Sequence, residues 1–133
     1  MAKILIFEPE ARYRMLLRFI LEGMRHSVRD SEDWEEIPAL LASEPPDLLL
    51  LGVHLDEKSV STDWAARQAC LSNVPTLLLF AGNPDLRHEY LKHWAGPRTI
   101  NVMIQPVNPY PLLAMVKNML TAPVEWRKGQ HAV

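Results

Sequence analysis

The stretch Pro46-Asp47-Leu48-Leu49-Leu50-Leu51-Gly52 decides the fold of this chain. Four consecutive leucines, entered through a proline and an aspartate and left through a glycine, are typical of a strand that is buried on both faces of a parallel sheet. Two further apolar runs, at residues 3–7 and 74–80, supply the neighbours that such a strand needs. The first prediction from the sequence is therefore a parallel sheet with residues 48–51 at its centre.

Strand-like and helix-like segments alternate along the whole chain. The predicted strands are residues 3–7, 26–30, 48–51, 76–80 and 100–104. The first predicted helix follows Pro9, and the second starts near Ile37 or is kinked by Pro38, since proline fits only the first turn of a helix. The third covers residues 63–71, and the last two begin at Asn83-Pro84 and Asn108-Pro109. This alternation predicts a flavodoxin-like three-layer α/β/α sandwich with a five-stranded parallel sheet of order 2-1-3-4-5.

Length and composition exclude several classes of protein. A chain of 133 residues with 48% hydrophobic residues can bury a core without disulfides or metals. A net charge of -2 gives no general attraction to nucleic acid or to an anionic membrane. Cys70 is the only cysteine, so a reducing cytoplasm is the expected compartment. We assign residues 1–120 to one domain and expect residues 121–133 to form a tail that is flexible unless Trp126 docks it.

The chain resembles a CheY-like response regulator receiver domain of two-component signalling over about residues 3–120. The resemblance rests on the strand pattern, on Pro46-Asp47, on Val74-Pro75 and on Pro106. In that family, two acids after the first strand hold Mg²⁺, and an aspartate after the third strand attacks the phosphodonor. A hydroxyl after the fourth strand and a lysine after the fifth contact the phosphoryl group. The resemblance therefore implies which positions should carry this chemistry.

Most of those positions have lost the side chain that phosphoryl transfer requires. The acid pair corresponds to Glu8 and Pro9, the nucleophile to Gly52, the hydroxyl to Phe80, the lysine to Gln105 and the switch residue of the fifth strand to Val102.

These replacements predict a pseudo-receiver that is neither an enzyme nor dependent on a metal or other cofactor. Glu8 alone provides too little charge for a typical Mg²⁺ site. The ring of Phe80, expected to fill the vacated site, would disfavour a doubly charged phosphoryl group. We expect a stand-alone atypical response regulator that acts by phosphorylation-independent protein–protein interaction. Two alternatives stay open: phosphorylation of a non-standard residue in a phosphorelay, with His54 and Asp56 as candidates, and small-molecule sensing in the vacated pocket.

Charged residues offer a first candidate surface for a protein partner. Arg14 and Arg18 share one face of the first helix, and an acidic run follows at residues 30–36. The two clusters either form a docking surface or compensate each other as solvated charges. No nucleic-acid or membrane partner is expected.

Aromatic residues offer a second candidate surface. Trp34 lies in the acidic run and is expected to be partly exposed, while Tyr90 and Trp94 form a ridge that is either core or interface. The resemblance implies a homodimer through the fourth helix, the fifth strand and the fifth helix. Tyr90, Trp94 and Val102 are the candidate contacts.

Overall fold

The computed structural model describes residues 2–60, 68–71 and 73–121. Its five strands are β1 (Lys3–Phe7), β2 (Ser27–Ser31), β3 (Leu48–Leu55), β4 (Thr76–Gly82) and β5 (Ile100–Ile104). The strands lie in the order 2-1-3-4-5, and all four pairings are parallel. The predicted topology is confirmed.

The helices are numbered in the order in which the structure shows them. They are α1 (Ala11–Gly23), α2 (Ile37–Ser43), α3 (Arg87–Lys92) and α4 (Pro109–Thr121), with short 3₁₀ turns at Trp34–Glu36, Gln68–Leu71 and Pro84–Leu86. The predicted fourth and fifth helices are thus α3 and α4. Most of the predicted third helix, including Trp64, lies outside the described residues, as does the tail beyond residue 121 with Trp126.

Local sequence signals explain where the helices begin. The Asn83 side chain accepts a hydrogen bond from the Asp85 N–H at 3.0 Å, which caps the 3₁₀ turn that leads into α3. Pro38 lies in the first turn of α2, so the helix starts at Ile37 without a kink. These starts agree with the prediction.

Alternate residues of the central strands belong to two separate hydrophobic layers, one on each face of the sheet. One face packs against α1 and α4, and the other packs against α2 and α3, so helices cover both faces of the sheet. Full burial of a leucine contributes about 2 kcal/mol, and β3 alone contributes two leucines to the first layer and three to the second. The α1–α4 layer contains Ile4, Ile6, Leu48, Leu50, Leu77 and Leu79, and the α2–α3 layer contains Leu5, Phe7, Leu49, Leu51, Leu78 and Phe80.

β3 is longer than predicted. It continues to Leu55 because Val53 and Leu55 are buried and His54 is exposed, which extends the alternation of a strand. Pairing with β4 continues through Leu55 opposite Gly82. His54 therefore lies in a strand, and Gly52 lies inside β3 rather than directly after the predicted strand. β2 is also shifted by one residue from its predicted position.

Candidate functional site

The carboxyl edge of the sheet carries a buried hydrogen-bonded cluster centred on Glu8. This residue follows β1 directly, and only 4% of its surface is exposed. The buried Gln105, just after β5, donates from Nε2 to Glu8 Oε1 at 2.7 Å and to the Leu79 carbonyl at 3.2 Å. The N–H of Glu10, at the start of α1, donates to Glu8 Oε2 at 2.8 Å. Both carboxylate oxygens of Glu8 are therefore held by the protein itself.

Gly52 lies directly against this carboxylate. A Cβ atom built at Gly52 would be 2.0 Å from Glu8 Oε1, 2.6 Å from Glu8 Cδ and 3.1 Å from the Phe7 carbonyl oxygen. A side chain at position 52 would thus overlap Glu8. The space that the nucleophile's side chain would need is filled by the neighbouring glutamate.

Phe80 does not fill the vacated site, so that expectation is wrong. Gly52 pairs with Leu79, and successive residues of a strand point to opposite faces. The Phe80 ring therefore lies in the α2–α3 layer, edge-on to Tyr90 with ring centroids 5.3 Å apart. Phe80 is a core residue on the side of the sheet away from Glu8.

A cavity of about 250 Å³ remains beside the Glu8 cluster. Glu10 caps α1, and hydrogen bonds from Arg12, first from its backbone N–H, lower the pKa of the Glu10 carboxyl. Arg14 donates to the Glu8 carbonyl oxygen at 2.8 Å, and its charge also lowers the pKa of Glu10. An anion entering this cavity would meet two carboxylates, which disfavours a phosphoryl group. The lining includes Glu8, Pro9, Glu10, Tyr13, His54 and Gln105.

The residues at this edge do not fit Mg²⁺. Both oxygens of Glu8 already accept hydrogen bonds, and the positions of the other expected oxygen ligands hold Pro9 and Gly52. Within residues 2–60, 68–71 and 73–121, no three His, Cys, Asp or Glu side chains are grouped as metal ligands.

The two candidate acceptors beyond Gly52 differ in their surroundings. His54 is exposed at the rim of the cavity. The Asp56 carboxylate accepts a hydrogen bond from the Ser59 N–H at 3.0 Å, while Ser59 Oγ donates to the Asp56 carbonyl. Asp56 thus closes a tight turn.

The two candidate arginines of α1 form ion pairs with acidic side chains of the same domain. Arg18 contacts Asp30 at 2.9 Å and Glu22 at 3.3 Å, and these hydrogen bonds, led by the one to Asp30, raise the pKa of Arg18. Arg14 lies 3.6 Å from Glu32. The charges of α1 and the acidic run therefore compensate each other within the chain.

Two of the four candidate aromatic and switch residues are buried. Trp34 is only 8% exposed and packs edge-on against Phe7, with ring centroids 5.2 Å apart, so its expected exposure is wrong. Tyr90 is 2% exposed and accepts a hydrogen bond from Gln68 Nε2 at its hydroxyl, so it is not available as an interface residue. The apolar ring of each residue completes the α2–α3 layer.

Trp94 and Val102 are half-buried at the edge of the same layer. The Trp94 ring stands 6.1 Å from that of Tyr90, and its Nε1–H donates to the Pro97 carbonyl at 2.7 Å. Trp94 is thus partly core and partly surface.

Sequence reasoning missed the pairing of Glu8 with Gly52. The signal was present in the sequence, because a glutamate follows β1 and, at the same time, position 52 in β3 is a glycine, which has no side chain. It also missed the apolar residues that the structure leaves most exposed in the described part of the chain: Met15, Phe19, Met24, Ile104 and Tyr110.

No family model matches this sequence, and no curated protein matches it either. Solved structures do match. The signal receiver domain of a signal transduction histidine kinase from Syntrophus aciditrophicus is 23% identical, with a TM-score of 0.68 over 91% of each chain. The signal receiver domain of a modulated diguanylate cyclase from Desulfovibrio desulfuricans G20 is 20% identical, with a TM-score of 0.69 over 96% of this chain and 97% of that one. The chemotaxis protein CheY4 of Vibrio cholerae is 21% identical, with a TM-score of 0.66 over 90% of this chain and 99% of that one.

These neighbours are receiver domains, and at this identity they establish the fold that the chain shares with them. The predicted CheY-like fold is confirmed. Separately, none of the helices in the described ranges is long and apolar enough to cross a membrane.

Proposed function

We propose that this chain is an atypical response regulator receiver domain that acts in cytoplasmic signal transduction through protein–protein interaction, without phosphorylation. One observation carries the proposal: the Glu8 carboxylate occupies the space of a side chain at position 52, where the resemblance places the phosphoacceptor. The proposed role is not enzymatic. The receiver fold supports the signalling part of the proposal.

The chemistry of the edge supports independence from phosphorylation. Gly52 offers no nucleophile, and Gln105 is neutral where a receiver's lysine would balance the developing charge. Gln105 is also committed to Glu8 and to the Leu79 carbonyl. Positions 52 and 105 thus supply neither the nucleophile nor the cation that a receiver uses there.

Incubation with acetyl phosphate and Mg²⁺, followed by intact-mass measurement, tests this proposal. The expected result is no gain of a phosphoryl group, while a receiver domain that retains the acceptor aspartate, treated in parallel, serves as the control for the reagents. A stoichiometric mass increase would favour the alternative of phosphorylation at a non-standard residue, and substitution of His54 or Asp56 would locate it.

Mg²⁺ titration by calorimetry gives an independent measure. We expect no saturable binding tighter than about 1 mM, which corresponds to roughly 4 kcal/mol. Tighter binding would show that the edge holds a cation despite the internal hydrogen bonds of Glu8.

Small-molecule sensing is the remaining alternative. The cavity of about 250 Å³ beside Glu8 is the observation in its favour. It is slightly smaller than typical ligand pockets of roughly 300–1,000 Å³. A saturable thermal shift with a metabolite, lost on substitution of Tyr13, would establish this function.

We further propose that the protein partner is a second copy, bound through α3, β5 and α4. Val102 and Trp94 contribute half-buried apolar surface there. Ile104 at the end of β5 is 52% exposed, and Tyr110 at the start of α4 is 84% exposed. Ile104 and Tyr110 take the place of the buried Tyr90 in the expected interface.

A further inference from the structure

The hydrogen bonds of Glu8 join three separate elements. Glu8 follows β1, its Oε2 holds the N–H at the start of α1, and its Oε1 holds the amide of Gln105 after β5. Arg14 of α1 adds a third hydrogen bond by donating to the Glu8 carbonyl. A buried carboxylate is tolerated only when such bonds replace its hydration. The ends of β1 and β5 and the start of α1 are therefore tied to one side chain.

The position of the Glu8 carboxylate depends on the absence of a side chain at position 52 of β3. Glu8 Oε1 lies 2.0 Å from the position that a Cβ atom of residue 52 would take. No pair of non-bonded atoms tolerates that separation. With Glu8 removed, the nearest remaining atom to that Cβ would be the Phe7 carbonyl oxygen at 3.1 Å, a tight but accessible contact. The obstacle to a side chain at position 52 is Glu8 rather than the backbone.

We propose that Glu8 is a built-in occupant of the acceptor site, which requires glycine at position 52 and fixes the carboxyl edge of the sheet in a single arrangement. The edge then has no second state for a modification to select, because the anion is a permanent part of the chain. The identity of position 52 as the acceptor site rests on the proposed function. Stability and local opening are measured separately from phosphorylation, so a failure of this inference is distinguishable from a failure of that function.

A double-mutant cycle with Gly52→Ala and Glu8→Ala tests the steric part. In the natural background, Gly52→Ala should lower the melting temperature by about 5 °C or more, because one methyl group displaces the carboxylate. In the Glu8→Ala background, the same change should lower it by no more than about 2 °C. Equal effects in both backgrounds would show that Glu8 and position 52 are independent, and would overturn the proposal.

Two further variants make the cycle specific. Gly23→Ala is the matched control, since a Cβ there would have no heavy atom within 4 Å. Glu8→Gln keeps the shape of residue 8, so Gly52→Ala should remain as harmful with glutamine as with glutamate. If Gly52→Ala alone does not fold, recovery of the fold on adding Glu8→Ala supports the proposal, and failure to recover it overturns the proposal.

Hydrogen exchange tests the second part. The Glu10 N–H and the Gln105 side-chain amide should exchange slowly in the natural protein and at least tenfold faster in Glu8→Ala. The Ile6 N–H, inside β1, serves as the internal reference. Unchanged exchange at Glu10 and Gln105 would show that Glu8 does not hold this edge.

Discussion

Phe80 carries the clearest prediction at the scale of a single residue. Its ring is fully buried in the α2–α3 layer and contacts Tyr90 edge-on. Replacement of Phe80 by threonine should destabilise the protein by roughly 3 kcal/mol, because the lost ring leaves a cavity and the new hydroxyl would lie in the core. The free energy of unfolding from urea denaturation measures this loss.

Phe19→Thr is the control for Phe80, since it removes the same ring from an exposed position on α1, outside the proposed interface. Its cost should stay within about 0.5 kcal/mol. Equal stability of the Phe80→Thr and natural proteins would mean that the ring makes no net contribution to the core.

His26 gives a prediction about pH. Its Nδ1 accepts a hydrogen bond from the Ala2 N–H at 3.2 Å, and burial lowers the pKa of the imidazole. The unfolded chain therefore binds a proton more readily than the folded one, so His26 lowers stability as the pH falls below its unfolded pKa of about 6.5. Asp47 and Lys117 line the same cavity as His26.

Stability curves of the natural protein and of His26→Gln between pH 7.5 and about 5 test this sign. The natural protein should lose more stability on acidification than the variant. A steeper loss in the variant would reverse the assigned direction.

At the candidate site, the sequence could predict which residues were lost but not what replaced them. Gly52, Pro9 and Gln105 show missing functional groups in the sequence alone. Which atoms fill the resulting space depends on side-chain directions in two paired strands. Phe80 was the natural candidate because of its size, but it points to the opposite face. Only the register of β3 with β4 decides that question.

At the scale of an element, the connection from α3 to β5 depends on Gly96. A Cβ at this position would be 2.4 Å from the Trp94 ring, which folds over the backbone and donates to the Pro97 carbonyl. Gly96→Ala should displace the ring and cost roughly 1–3 kcal/mol, as overpacking does. The shift of the urea midpoint measures the cost.

Gly23→Ala controls for the general effect of replacing glycine, because it meets no neighbour and alanine favours a helix. If Gly96→Ala costs no more than Gly23→Ala, the Trp94 ring does not need the glycine.

Most elements could be predicted from the sequence because their signals are local. The Asn-Pro pairs marked two helix starts, and the leucine run marked β3. The end of β3 was wrong because a glycine suggests a strand end, whereas the alternation of Val53, His54 and Leu55 continues the strand. The exposure of Trp34 was wrong for a similar reason. Its acidic neighbours indicate solvent, but its contact with Phe7 is a tertiary one.

At the scale of the whole molecule, two exposed apolar regions of the described residues compete for a partner. One is on α1, where Met15 and Phe19 lie one turn apart and the nearby arginines are paired with acids. The other comprises Ile104, Tyr110 and the half-buried edge of β5. Because β5 is an edge strand, its outer backbone groups are open to a partner as well. The β5 side therefore offers both apolar surface and hydrogen-bonding groups.

We therefore expect a constitutive homodimer through α3, β5 and α4. Light scattering at tens of micromolar should report about twice the 15.2 kDa chain mass. A specific interface should bury at least about 1,000 Å² in total, so a buried charge at its centre should dissociate it. Ile104→Lys should yield a monomer, whereas Phe19→Lys, at a residue that is 76% exposed on α1, should leave the dimer intact. A monomeric natural protein would refute this assembly, and dissociation by Phe19→Lys alone would move the interface to α1.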